Sequence, residues 1–365
     1  MARHSVSASY PLLFLIVMDN AFSFHLLNWF DQHGRKDLPW QHPRTPYRVW
    51  VSEIMLQQTQ VTTVIPYFVR FMERFSDVHQ LAQAEQAEVL TYWSGLGYYA
   101  RGRNLHKSAQ EMVQRHNGDL PQTADELMSL SGIGQSTAHA ILSLAYHQPK
   151  AICDGNVRRV LARWLALEET VDKPQGQAIL WQTAESLQSH SRPADYTQAI
   201  MDLGATLCTR TKPKCQQCPV QQDCQAFQQS QNVGIAVTFY PRKSQKAPKP
   251  EKSCAMYLLQ RPDGAVWLNA PQQDTGLWGG LYQLPQELPQ TIQGFVHTAQ
   301  LTQLPETQHS FTHFKLHIQP YWLALSAEQA QAISNSALGD WYHPEQHSLP
   351  RPAIVDKLLK ITPLV

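Results

Sequence analysis

Four closely spaced cysteines constrain the fold of this chain more than any other feature. Cys208, Cys215, Cys218 and Cys224 follow the spacing Cys-x6-Cys-x2-Cys-x5-Cys. Thiols clustered around a Cys-x2-Cys core read as a metal or iron-sulfur site, whereas a disulfide framework suits a small secreted chain without a large core. With 365 residues, 43% of them hydrophobic, this chain can build more than one ordinary core, and two domains are expected. Four thiolates admit zinc or an iron-sulfur cluster. The tether between the first two ligands carries Arg210, Lys212 and Lys214. In a free loop such charge is merely solvated, but a pinned loop has lost most of its freedom and can present cations to phosphates at low entropic cost. Cys153 and Cys254 lie outside the spacing and read as buried free thiols.

A second constraint lies upstream, in Leu130-Ser131-Gly132-Ile133-Gly134-Gln135-Ser136-Thr137-Ala138. A short helix is expected over 121–130, where Thr123 can cap it, Glu126 can complete a capping box, and Leu127 and Leu130 form an apolar pair. Another helix starts near Ser136. Between them, Gly132 and Gly134 allow backbone conformations and close approaches that a side chain would block, and N–H groups at a helix start can hold a phosphate. Glycine after a helix is equally the commonest C-cap, and Asp154, ahead of Val157, Val160 and Leu161, is equally a favoured N-cap. Together, the hairpin and Asp154-Gly155-Asn156-Val157-Arg158 resemble the helix-hairpin-helix plus Asp signature of base-excision DNA glycosylases related to endonuclease III. The cysteine spacing resembles the 4Fe-4S loop that follows the catalytic domain in the same relatives, which implies iron-sulfur rather than zinc.

Leu38-Pro39-Trp40 and the stretch from Thr45 to Gln60 open the same region, with Pro46 well placed at a first helical turn. Apart from Arg48, Ser52 and Glu53 that helix is apolar through Leu56. A carboxyl in apolar company is expected to have a raised pKa and to keep the proton a general acid needs; an exposed helical Glu is the plainer alternative. Glu53 to Gln60 resembles the adenine DNA glycosylases of the MutY type. That resemblance implies that Glu53 protonates the adenine ring and that Gln57 and Gln58 enter the base stack near the lesion. It adds Trp40, Gly132, Gly134 and Ser136 to the DNA-contacting set and sets Gln198 in the adenine pocket.

Helical periodicity over 61–75 and 78–92 supplies core positions such as Val64, Phe68, Phe71 and Met72. Trp93 to Leu105 differs, joining Gly95, Gly97, Tyr98 and Tyr99 to Arg101 and Arg103. Aromatic groups and Arg beside flexible backbone suit insertion into a duplex; a turn over a buried Tyr is the alternative. In the resembling family a Tyr inserts beside the damaged guanine, and Tyr98 is the matching position. Ser136 stands where lyase-competent relatives carry a Schiff-base Lys, a task no Ser can perform, so the resemblance implies a monofunctional enzyme.

Beyond the cysteines the chain turns Gln-rich, then basic and Pro-bearing, over 227–253, which reads as a linker. From Cys254 its texture is that of strands. Cys254–Gln260 and Ala265–Leu268 flank Pro262-Asp263-Gly264, a hairpin signal. Thr275-Gly276-Leu277-Trp278-Gly279-Gly280 resembles the approach to a Nudix box as in MutT hydrolases. Nudix hydrolysis needs glutamates to hold a divalent metal on pyrophosphate, and no Asp or Glu occurs between Glu287 and Glu306, which opposes the alternative of a nucleotide pyrophosphatase. Phe314, Leu316 and Ile318 alternate as a strand after Phe311-Thr312-His313. In the MutT-like domain of the adenine glycosylases a Phe-Ser-His loop recognises 8-oxoguanine, and these three residues occupy its position, with Thr for Ser. A generic turn at the entry to a strand is the alternative. Residues 352–361 read as a closing helix.

The expected architecture is therefore multidomain. An all-α helix-hairpin-helix glycosylase domain over 22–226, with its iron-sulfur loop at 208–224, precedes the linker and an α+β Nudix/MutT-like domain over 254–365. Pro11 to Met18 imitates a signal-peptide core but is too short to span a bilayer and lacks a clean cleavage site; translation starting at Met18 would make 1–17 an artefact within a 1–21 extension. The net charge of +1 gives no global sign of a polyanion partner, so any DNA-binding surface is local. The expected function is excision of adenine opposite 8-oxoguanine or guanine by a cytoplasmic, nucleoid-associated monomer carrying a 4Fe-4S cluster and acting on double-stranded DNA. The alternatives are an endonuclease III-like glycosylase/lyase, opposed by Ser136 and the extra domain, and a non-catalytic iron-sulfur DNA-binding protein, opposed by the pairing of Glu53 with Asp154.

Overall fold

In a computed structural model of the chain the described residues are 20–245, 247–271, 278–294, 300–336, 338–343, 345 and 349–363. The start-site question at Met18 and the segment Thr275-Gly276-Leu277 lie outside them. In chain order the helices are α1 (Ala21–His33), α2 (Pro46–Leu56), α3 (Val61–Arg74), α4 (Val78–Gln83), α5 (Gln86–Trp93), α6 (Ala100–Arg115), α7 (Ala124–Ser129), α8 (Gln135–Tyr146), α9 (Gly155–Trp164), α10 (Pro174–Leu187), α11 (Pro193–Asp202) and α12 (Gln225–Asn232). There follow β1 (Glu251–Gln260), β2 (Val266–Asn269), α13 (Gln290–Gln293), β3 (Thr302–Gln303), β4 (Thr307–Ser310), β5 (Lys315–Ala324), α14 (Ala327–Ser336), β6 (Gly339–Tyr342) and α15 (Ala353–Leu359). They form two compact units: one takes the chain up to Lys36 and Gln135–Ser244, the other Asp37–Gly134 and the chain from Gln245 onward.

In the first unit α11 packs against α1, α8 and α9. Leu26, Ile141, Leu142, Leu161 and Ala199 are buried there. Helix starts are set locally: Asn20 accepts from Ser23 N–H at 2.9 Å to begin α1, and Asp154 begins α9. After α11 the chain widens into a π-helical turn, Leu203–Leu207, which delivers Cys208.

In the second unit α2 packs on α3 and α6, and α6 also packs on α4 and α5. Trp50, Trp93, Phe68, Phe71 and Phe75 fill the core, each contributing on the order of 1.5–3 kcal/mol by burial. Thr45 and Pro46 start α2 as the sequence reading expects. The periodic run 78–92 is broken into α4 and α5, because Ala84 adopts an extended conformation (φ −67°, ψ 154°). Near the break, the Gln110 amide of α6 donates to the Ala82 carbonyl at 3.5 Å.

The strands form one mixed sheet in the order β3-β5-β1-β2-β6, with β4 also paired to β5. β1 and β5 run parallel from Glu251↔Lys315 to Gln260↔Ala324, while β2 pairs antiparallel with β1 and β6. The hairpin at Pro262-Asp263-Gly264 forms as expected, with Gly264 at φ +88° and Arg261 N–H donating to the Ala265 carbonyl at 2.8 Å. β1 begins at Glu251, three residues before the expected Cys254, since Lys315 of β5 pairs with Glu251 at 3.0 Å and the Lys252 ammonium lies 4.9 Å over the Phe314 ring. Cys254 is half-buried on this strand, not fully buried; Cys153 is buried as expected. Among the described residues no helix is long and apolar enough to cross a membrane.

Candidate functional site

Asp154 is the N-cap of α9, as one reading of the sequence expects. Its Oδ1 accepts from the N–H groups of Asn156 (3.0 Å) and Val157 (2.8 Å), capping α9, while the Asn156 amide donates to Oδ2 at 3.4 Å. Burial pushes its carboxyl above the ordinary value; the two backbone donors and then Arg159 and Arg158 oppose that shift. Ser136, at the start of α8, accepts from Cys153 N–H at 3.1 Å, so its hydroxyl holds the residue just before Asp154.

From its cap, α9 runs to the cysteine loop. Arg159 donates through Nε to the Cys208 carbonyl (2.8 Å) and through Nη2 to the Gly204 carbonyl (2.7 Å). Arg163 is 1% exposed, and its guanidinium serves the carbonyls of Tyr240 (3.0 Å), Cys208 (3.3 Å), Thr209 (2.7 Å) and Arg210 (3.0 Å) as well as the Cys208 sulfur (3.3 Å). The four thiols line one cavity whose walls include Val160, Leu203, Leu207 and Val220. An apolar cavity with four thiols around its wall is a setting that can hold an iron-sulfur cluster. Burial raises Cys218 to about 12 and Cys224 to about 11 as free thiols, so the positive charge of iron is what would take their protons off. Arg210, Lys212 and Lys214 are all exposed on the tether, and the Thr209 hydroxyl fastens its turn by donating to the Lys212 carbonyl at 2.7 Å.

In the second unit Glu53 is half-buried on α2, among the buried Trp50, Ile54 and Met55. Gln57 and Gln58 are not helical: Gln57 is the C-cap of α2, and Gln58 is exposed at φ +61°. The Gln57 amide donates to the Gly132 carbonyl at 3.3 Å, tying this turn to the hairpin. Gly132 needs to be glycine twice over, since its φ is +83° and a Cβ would meet the Asn104 side chain at 3.0 Å. Gly134 differs from expectation, having neither a left-handed φ nor any atom within 4 Å of a Cβ position. Leu127 and Leu130 are buried as expected, and Thr123 accepts from Glu126 N–H at 3.4 Å. The Glu126 carboxylate accepts from the Thr123 hydroxyl at 2.6 Å, a variation on the capping box.

Tyr98 is 49% exposed and held at φ +49°, a conformation that costs a non-glycine residue about 1–2 kcal/mol. Arg101, expected at a duplex surface, is instead 8% exposed. It donates to the carbonyls of Ile54 (3.0 Å), Met55 (2.7 Å), Gln57 and Gly97 (3.2 Å) and to the Thr59 hydroxyl (3.1 Å), with its guanidinium 5.3 Å from the Tyr98 ring. One buried cation thus fixes the end of the Glu53 helix, the Gln57 turn and the Tyr98 loop. Burial lowers its pKa to about 10, leaving it charged at neutral pH.

Trp40 is 5% exposed and edge-to-face with Phe68 at 5.5 Å, a packing position. Gln198 is buried and donates to Asp202 at 2.8 Å; Asp202 also accepts from Arg35 through its backbone N (2.7 Å), Nε (2.9 Å) and Nη2 (2.6 Å). Sequence reasoning missed Asp202, Arg35, Arg163 and the true role of Arg101. One signal was available: Arg159 and Arg163, four apart, lie on one side of a helix that leads toward the cysteines.

On the sheet, Phe311-Thr312-His313 caps the hairpin of β4 and β5, with Phe311 N–H donating to the Phe314 carbonyl at 2.9 Å. Thr312 and His313 are exposed, while the Phe311 ring lies 4.7 Å from Phe314, 4.5 Å from His309 and 5.8 Å from Trp278.

Comparison with known proteins completes the assignment. Residues 51–186 match the HhH-GPD superfamily of base excision DNA repair proteins, 208–224 the iron-sulfur binding domain of endonuclease III, and 255–360 the NUDIX domain. Among solved structures the chain is similar to a thermostable thymine-DNA glycosylase, with TM-score 0.53 and 25% identity, covering 57% of this chain and 95% of that one. Fold and site therefore define an iron-sulfur DNA glycosylase of the helix-hairpin-helix class, carrying a Nudix-like domain. The adenine DNA glycosylase of Buchnera aphidicola (subsp. Baizongia pistaciae) is 35% identical over 346 residues, covering 92% of this chain and 96% of the relative. That of Homo sapiens is 36% identical over 383 residues, covering 88% and 70% respectively. This chain belongs to the adenine DNA glycosylase family and acts in base excision repair.

Proposed function

We propose that the substrate is adenine paired with 8-oxoguanine, or with guanine, in double-stranded DNA, and that the enzyme is a monofunctional monomer that leaves an abasic site. The observation that carries this reading is the hairpin tip at Phe311-Thr312-His313: two exposed polar side chains, Thr312 and His313, stand beside a ring braced by Trp278, Phe314 and His309. A hydroxyl and an imidazole beside an aromatic face suit hydrogen bonding to the edge of an oxidised purine while its ring is stacked.

An adenine inside the stack is out of reach of a side chain, so it is flipped out, and Tyr98, Gln57 and Gln58 occupy the gap. Glu53 protonates the leaving adenine as the C1′–N bond breaks, and Asp154 stabilises or covalently captures the oxocarbenium-like sugar. Water then adds at C1′, giving up a proton and releasing Asp154, to leave the abasic site, the two-carboxylate logic of glycoside cleavage. Gln198, fixed by Asp202, contributes to the adenine pocket, with Trp40 supporting base contact through its packing. The open space at Gly134 admits a phosphate close to the backbone, and Ser136 holds the turn that carries Asp154. Arg210, Lys212 and Lys214 contact phosphates. Cys208, Cys215, Cys218 and Cys224 would hold a 4Fe-4S cluster that cross-links the loop, and no step of excision runs through it.

The test is single-turnover adenine release from duplexes with adenine opposite 8-oxoguanine and opposite thymine, followed by alkali to reveal abasic sites. Release from the lesion duplex alone is expected, with Glu53→Gln and Asp154→Asn each abolishing it while still binding, and with no borohydride-trapped adduct. Equal release from both duplexes refutes the substrate; efficient trapping refutes monofunctionality.

A further inference from the structure

The hairpin tip at Phe311 and the loop that carries Tyr98 belong to one unit, and the turn Trp278-Gly279-Gly280 lies between them. On one side the Trp278 indole meets the Phe311 ring at 5.8 Å. On the other, the Gly279 carbonyl accepts from Arg103 Nη1 at 2.7 Å, on the helix that leaves the Tyr98 loop. Gly280, at φ +73°, approaches α5 so closely that a Cβ there would stand 2.8 Å from Leu90 Cδ1. The turn therefore grips both helices flanking residues 94–99. A second grip comes from the segment before α15. The Arg351 carbonyl accepts from the Tyr99 hydroxyl (2.6 Å) and from the Ser94 hydroxyl (3.3 Å), at the two ends of the same loop. Arg351 is itself fixed, donating to Asp356 at 2.7 Å and lying 4.3 Å over the Tyr342 ring of β6.

Tyr98 sits in a conformation that its own backbone disfavours, so it keeps that pose only while its surroundings over-determine it. Arg101 holds the loop from within the helical part, and the Nudix-like part supplies the rest. We propose that Arg103 and Tyr99 are positioning residues that set the pose of the Tyr98 loop by reference to the Phe311 hairpin, so that lesion reading and duplex insertion are coupled through the Trp278–Gly280 turn. The coupling rests on the proposed 8-oxoguanine specificity. Its physical content is a contiguous path of packing and hydrogen bonds whose ends both meet DNA.

Two measurements on the full chain with its cluster test this. Amide hydrogen exchange of residues 94–99 in the absence of DNA reports the brace directly, and both Arg103→Gln and Tyr99→Phe should speed it by about tenfold, the effect of losing one strong hydrogen bond from a locally opening segment. Unchanged exchange in both variants overturns the proposal. The second is a double-mutant cycle on the ratio of single-turnover excision opposite 8-oxoguanine to that opposite guanine. Phe311→Ala should lower this ratio by about tenfold in the wild-type background and by less than about threefold in Arg103→Gln, because the path is already cut. Equal, multiplicative losses overturn the coupling while leaving the substrate assignment intact. A wild-type enzyme with no preference between the two duplexes instead removes the specificity on which the coupling rests, and the coupling with it.

Discussion

Arg163→Met should dismantle the cysteine loop. The guanidinium is buried on α9 and makes five bonds of 2.7–3.3 Å, four to carbonyls and one to the Cys208 sulfur. Methionine matches the stem but donates nothing, so the carbonyls of Tyr240, Cys208, Thr209 and Arg210 lose a donor together. A buried acceptor left unsatisfied costs about 1–3 kcal/mol, but the four costs do not add, because the exposed tether at Arg210 can relax toward water. A net loss of about 3–5 kcal/mol is the reasonable figure, the scale seen when one partner of a buried charged network is removed. At about 2–4 °C per kcal/mol for a unit of this size, the melting temperature should fall by roughly 10 °C. Iron content and the visible absorption of the cluster should fall with it, and DNA affinity should drop as Arg210, Lys212 and Lys214 lose their fixed geometry. Arg163→Lys should recover only part, since an ammonium keeps the charge without the planar fork. An Arg163→Met protein that purifies with a full complement of iron and melts within about 2 °C of wild type would show that this guanidinium does not hold the loop.

Two further outcomes follow from the Asp154 turn. Burial raises the Asp154 carboxyl, so its stabilising contribution is complete below the unfolded value of about 4 and is lost as pH rises through the folded value; Asp154→Asn, which keeps the N-cap, should melt above wild type at pH 8, with the gap closing toward pH 4. A wild type more stable than the variant at pH 8 would contradict that sign. Ser136→Ala removes the acceptor for Cys153 N–H, at a cost of about 1–3 kcal/mol, and should slow excision several-fold while iron content stays at the wild-type level; Ser136→Thr should restore the rate, and a full rate in the Ala variant would deny the turn any dependence on this hydroxyl.

What could be read in advance was local in sequence. The cysteine spacing, the Thr123 and Asp154 caps, the Gly264 hairpin and the alternation into β5 each involve residues a few positions apart, where propensity and turn chemistry act directly. What escaped was held by distant partners. Arg163 reaches Tyr240 77 positions on, Arg101 reaches back 47 to Ile54, and Arg35 meets Asp202 across 167. Arg101 shows why composition misleads here: beside glycines and tyrosines it looked like a surface cation, yet the carbonyls left at the end of α2 draw it inward. The first residues of β1 were hidden for the same reason, since Glu251 and Lys252 read as linker until Lys315 and Phe314 are brought alongside.

The proposed catalytic role of Asp154 is compatible with its capping of α9. Capping α9 commits Oδ1 to two backbone N–H groups, which fixes the carboxyl plane and sets negative charge at the positive end of a helix. Among the described residues Oδ2 takes the longer 3.4 Å bond from the Asn156 amide, which leaves it the less committed oxygen for the proposed role. The same helix then binds the cysteine loop through Arg159 and Arg163. A loop clamped by a cluster at its four cysteines is stiff, and stiffness at one end of α9 limits the motion of the carboxylate at the other. On this argument the iron-sulfur loop and Asp154 share one rigid element. Loss of the cluster should therefore cost single-turnover excision rate as well as DNA affinity.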